Sequence, residues 1–213
     1  MKYFFRLCLL LFVGFNAKGA MVDHDHPRIL RVIAENFDCF GHSVEKSSGV
    51  YLGEGKIAFN KRILNLDSLA EIYLEDEEGR SITSIDVRDL KIDFNEKSMV
   101  AILTLDEEYL KEMKAVKIAS FDKDQDYFVF VGDQVQRVYL LNGFFKQKIQ
   151  TYWIKDSPKK MPFLKSENLG SPLFSFDKET GEASVVALFD GYQIHRMNRG
   201  KVETGINFFV PVQ

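Results

Sequence analysis

Cysteine and proline are scarce in this 213-residue chain, with two and five copies. One cysteine, Cys8, lies in an N-terminal apolar run, so only Cys39 remains beyond it and no internal disulfide can staple the fold. Cys39 is expected to be a buried small hydrophobe, with an intermolecular bridge or a reactive thiol as the alternatives. The four histidines, His24, His26, His42 and His195, restrict where imidazole chemistry can occur. No stripe of basic residues is present, which excludes nucleic acid as a natural partner class. There is no low-complexity segment, no internal repeat and no long helical periodicity. Beyond the N-terminus, no apolar run suggests a membrane anchor.

Residues 1–20 have the layout of a secretory signal peptide. Lys2 and Arg6 form a basic start, residues 7–15 are apolar, and Ala17, Gly19 and Ala20 supply small residues for cleavage after Gly19 or Ala20. The apolar run is too short to span a bilayer comfortably, and no lipobox precedes Cys8. The expected destination is secreted or periplasmic. Removal of the leader takes Lys2, Arg6 and Lys18 and no acid, leaving 25 basic against 31 acidic residues.

Phenylalanine is abundant, with 19 copies, and short β-rich runs separated by polar turns dominate. Residues 48–59 predict a strand, a tight turn using Gly53 and Gly55, and a second strand. Residues 70–75 and 81–87 predict another hairpin, and 90–94 with 99–105 a further pair. Residues 106–114 predict a short helical or irregular excursion, and 27–35 a short helix. Later strands are predicted at 127–131, 134–141, 146–152, 173–176, 183–189 and 208–212. Strands at this spacing indicate barrels or a sandwich.

Three ordered segments resemble the trypsin-like serine protease family. Ser47-Ser48-Gly49-Val50-Tyr51-Leu52-Gly53-Glu54-Gly55 is similar to the strand pair that leads to the family's catalytic histidine. Met99-Val100-Ala101-Ile102-Leu103-Thr104-Leu105 resembles the strand opened by the triad aspartate. Glu167-Asn168-Leu169-Gly170-Ser171-Pro172-Leu173-Phe174 resembles the nucleophile loop.

The resemblance identifies a catalytically degenerate member. The histidine, aspartate and serine positions fall on Arg62, Met99 and Leu169. Each triad member has one role: base, orienter, nucleophile. Arginine stays protonated at neutral pH, methionine cannot orient an imidazole, and leucine cannot attack a carbonyl. The family's oxyanion-hole glycine corresponds to Glu167, beside Asn168. A glutamate there disfavours glycine-like backbone and adds negative charge where an oxyanion would form. Ser171 and Ser166 are the remaining hydroxyls in the loop; either would need a remodelled loop and a base. His42 is expected before the first barrel strand and His195 in a polar loop, so neither matches the family's histidine.

Other constellations are weaker. Asp23, His24, Asp25 and His26 could bind Zn²⁺, Cu²⁺ or Ni²⁺, against the reading of a solvated N-terminal arm. Cys39 and His42 are three apart on an expected loop, a poor arrangement for a thiol and its base. Glu75, Asp76, Glu77 and Glu78 form an acidic hairpin tip. Asp122, Asp124 and Asp126 resemble the start of a Ca²⁺ loop but lack its glycine and its terminal glutamate, where Asp133 stands. Residues 156–164 bring Phe163, two prolines and basic residues to the border of any cleft.

The resemblance implies an all-β fold of two antiparallel six-stranded β-barrels. The expected units are the leader at 1–20, an N-terminal barrel in 21–118 and a C-terminal barrel in 119–213. The leading expectation is an exported, inactive protease homologue that binds protein or peptide, with no cofactor, no metal and no catalytic residue. Two alternatives stand beside it: an active serine endopeptidase with a displaced site, and an unrelated all-β structural or adhesion module.

Overall fold

The computed structural model describes residues 29–212 except 40, 95–97, 132–133, 146–147, 155–163, 165, 178 and 197–202. The leader, the arm with His24 and His26, and residues 156–163 lie outside the described residues.

Fourteen strands follow in chain order: β1 (Ile29–Asp38), β2 (Gly41–Gly53), β3 (Lys56–Asn60), β4 (Leu69–Glu75), β5 (Ser81–Asp86), β6 (Lys91–Phe94), β7 (Val100–Thr104), β8 (Lys117–Ile118), β9 (Tyr127–Val131), β10 (Gln134–Phe145), β11 (Lys148–Ile154), β12 (Pro172–Phe176), β13 (Ala183–Arg196) and β14 (Glu203–Pro211). Short 3₁₀ turns supply the only helical segments among the described residues. The first seven strands form one antiparallel sheet in the order β5-β4-β1-β2-β3-β7-β6. The second sheet runs β12-β9-β10-β11-β14-β13-β8, and β12 pairs with both β9 and β13. That double pairing closes six strands into a barrel, with β8 added as a parallel strand beside β13. The expected all-β class and pair of β units therefore stand. The N-terminal sheet differs in detail: it has seven strands, and no pairing joins its edges β5 and β6 among the described residues.

The alternation of side chains along the strands builds two interiors and a seam. Leu30, Val32 and Ala34 of β1, Ile57 and Phe59 of β3, Ile72 and Leu74 of β4, and Leu103 of β7 fill the first. Tyr127, Val129, Ile149, Leu173, Phe189 and Phe209 fill the second. Val50, Ala58 and Val100 of the first sheet meet Phe174, Val185, Leu188 and Val210 of the second in a third apolar cluster. The two sheets thus share one buried face.

Residues 29–38 correct the helix expected at 27–35. They form β1, inserted between β2 and β4. The spacing of Ile29, Leu30, Val32 and Ile33 suits a helical stripe as well as a strand, and Pro27 mimics a helix start. Pairing on both edges settles the competition, because β1 satisfies its backbone groups on β2 and β4. Insertion of β1 also changes two further expectations. His42 follows the first strand, at the beginning of β2, and does not precede it. Cys39 is exposed at the β1–β2 turn and is not a buried hydrophobe, because this hairpin extends past the sheet that would cover it. His195 lies within β13, paired with Thr204, and not in a loop.

The β2–β3 turn shows why its glycines are needed. Glu54 and Gly55 both take positive φ, 52° and 69°, as a tight primed turn requires. A Cβ on Gly55 would lie 2.1 Å from the Leu105 carbonyl oxygen, so a side chain there has no room. The acidic hairpin tip is stitched by cations: Arg80 pairs with Asp76 and Glu78, and Arg31 with Glu75. At the aspartate-rich stretch, Asp122 accepts from the Asp124 N–H and Asp126 pairs with Arg137.

Two expected outcomes follow from the packing. Phe174 is fully buried at the seam, edge-on to Phe130 at 5.2 Å between centroids. Phe174→Ala should destabilise the protein by about 3–5 kcal/mol, read as a lower urea midpoint. In the β12–β13 turn, Asp177 accepts from the Thr180 and Glu179 N–H groups and the Thr180 hydroxyl. These bonds, the Thr180 N–H first, hold its carboxyl below the usual carboxylate range. Its stabilisation is therefore present above the unfolded carboxylate pKa and lost as pH falls through the lower folded value. The stability gap between the wild type and Asp177→Asn should narrow as pH falls below about 4.

Candidate functional site

The three residues that the sequence resemblance puts at the triad positions lie where the two sheets meet, and each is engaged in joining them. Arg62 belongs to a 3₁₀ turn, Lys61–Ile63, that follows β3 directly. Asn60 caps this turn: its side-chain oxygen accepts from the Arg62 N–H at 3.0 Å. The Arg62 guanidinium reaches the second sheet and donates to the Asp190 carbonyl oxygen at 2.7 Å. Met99 stands just before β7; its carbonyl accepts from the Lys61 N–H at 2.9 Å, and its side chain packs into the seam. Leu169 comes from the loop before β12 yet packs against the core of the first sheet. Its carbonyl accepts from the Ser48 N–H at 2.7 Å.

Asp190 is the centre of this junction. It is the bulged residue of β13: Phe189 pairs with Phe209 and Gly191 with Phe208, leaving Asp190 as the extra residue between them. A bulge re-aims the side chain it carries. The Asp190 carboxylate is 4% exposed and faces three partners. Asn60 Nδ2 donates to one oxygen at 3.1 Å and to the Phe189 carbonyl at 3.2 Å. Arg62 lies 3.9 Å from the same carboxylate oxygen. Lys148 of β11 pairs with the other. A buried carboxylate needs such compensation, since burial without a partner is strongly unfavourable.

The loop before β12, which resembles the family's nucleophile loop, is equally committed. Ser166–Asn168 form a 3₁₀ turn, and the Leu169 N–H donates to the Ser166 carbonyl at 3.1 Å. In the family that the sequence resembles, this N–H would be an oxyanion donor; in this chain it closes an internal turn. The adjacent Gly170 has φ 76°. A Cβ there would lie 2.1 Å from Ser47 Oγ and 2.4 Å from the Ser48 carbonyl oxygen, so glycine alone permits the loop to seat on β2. Ser171 is buried, with its N–H on the Asn168 carbonyl and its own carbonyl on the Phe189 N–H. It is a turn residue under the loop.

A cleft of about 550 Å³ opens beside the junction. Arg62, Leu169, Ser166, Asp190, Gly191 and Tyr192 line one part of it. The sequence-level site residues Arg62 and Leu169 are thus brought together, and Met99 adjoins them through Lys61. No histidine lines the cleft among the described residues. His42 stacks on Phe37 at 4.5 Å, with Nε2 3.7 Å from Glu35. Ser166 reaches the cleft without an imidazole beside it.

Sequence reasoning missed Asn60, Lys148 and Asp190. The available signal was an acid directly after the apolar run at 183–189, a placement that demands buried partners.

No protein-family model and no curated protein matches the chain. Solved structures do. The chain is similar to the tobacco vein mottling virus protease at 16% identity and TM-score 0.53, covering 85% of this chain and 76% of that one. It is similar to the serine endoprotease from Yersinia pestis at 15% identity and TM-score 0.52, over 87% of this chain and 58% of that one, so it spans less than two thirds of that protein. Deg5 is similar at 17% identity and TM-score 0.50, over 87% and 84%. At these identities the likeness concerns the fold alone. It bears out the expected chymotrypsin-like two-barrel fold.

The junction makes its own prediction. Asp190→Ala removes the partner of Lys148 and leaves Asn60 half-satisfied, and should cost about 1–3 kcal/mol in chemical denaturation. Leu169→Ser should gain no labelling by a serine-directed fluorophosphonate, because no base adjoins it and its N–H stays on Ser166.

Proposed function

On a chymotrypsin-like two-barrel fold whose nucleophile position holds leucine, we propose a catalytically inactive homologue that binds protein or peptide in its inter-sheet cleft. The observation that supports this reading is the Arg62 side chain: the residue that the resemblance puts at the base position is spent on Asp190 of the opposite sheet. Arginine remains a cation at neutral pH and accepts no proton. The Leu169 N–H, turned into the Ser166 turn, supports the same conclusion for the oxyanion site.

The cleft retains features suited to binding. Residues 191–196 of β13 pair with β14 along one edge. Along their other edge no strand pairs among the described residues. An extended peptide can add to such an edge, with main-chain hydrogen bonds for affinity and flanking side chains for selectivity. Tyr192, 42% exposed and on the cleft wall, supplies an aromatic surface at that edge. Export rests on the leader in residues 1–20. No helix among the described residues is long and apolar enough to cross a membrane.

The test uses the chain from residue 21 onward. Fluorescent casein should remain uncleaved, and fluorophosphonate should leave the protein unlabelled. Peptides selected by display should bind saturably, and Tyr192→Ala should weaken them about tenfold. Phosphonate labelling that Ser166→Ala abolishes would establish a displaced hydrolase instead.

A further inference from the structure

We draw no further inference here: the strongest candidate, the acidic groove between the β4–β5 hairpin tip and the 3₁₀ turn Glu107–Leu110, sets its carboxylates beside Arg80 and Lys111, and nothing in the structure shows what covers it.

Discussion

A carboxylate buried where two β-sheets meet must be neutralised by groups from more than its own strand. Asp190 imposes that requirement, and the surrounding structure is arranged to meet it. Asn60 comes from the end of β3, Arg62 from the turn that Asn60 caps, and Lys148 from the start of β11. Asn60 is buried and serves both sides at once, capping one element and donating to the other. The apolar seam of Val50, Ala58, Phe174 and Leu188 holds the sheets together without direction. The polar cluster fixes how they face each other, since hydrogen bonds are directional and burial is not.

This constraint connects the fold to the proposed loss of catalysis. Arg62, Met99 and Leu169, which the resemblance puts at the triad positions, each make contacts across the junction. Arg62 reaches from the first sheet to the second, Leu169 reaches from the second to the first core, and Met99 lies in the seam between them. All three side chains are used as contacts between the sheets. The Leu169 N–H and Gly170 follow the same pattern, one closing a local turn and the other admitting the loop against Ser47 and Ser48. A cleft remains beside the junction, lined by Tyr192 and the edge of β13, and binding along it needs no nucleophile.

Much of this was legible in the sequence, for identifiable reasons. The hairpins β2–β3 and β4–β5 and the pair β6–β7 are local, so alternation and turn residues suffice to find them. The ordered motifs around Val50, Val100 and Gly170 gave the two-barrel fold. β1 was obscured because Ile29, Leu30, Val32 and Ile33 satisfy both periodicities, and only pairing with β2 and β4 decides between them. The expectation that Cys39 is buried rested on its residue type alone, which does not reveal that it stands at the β1–β2 turn. Asp190 and Asn60 are 130 residues apart, and no local pattern encodes their contact.

The most direct test of this account is a double-mutant cycle between Asn60 and Asp190, with Asn60→Ala, Asp190→Ala and the double variant compared in urea denaturation. If the buried carboxylate organises the junction, the double variant should cost less than the sum of the single changes, with a coupling of about 1–3 kcal/mol. Strict additivity would mean that the two residues do not act together, and would contradict the placement of Asp190 at the centre of the junction.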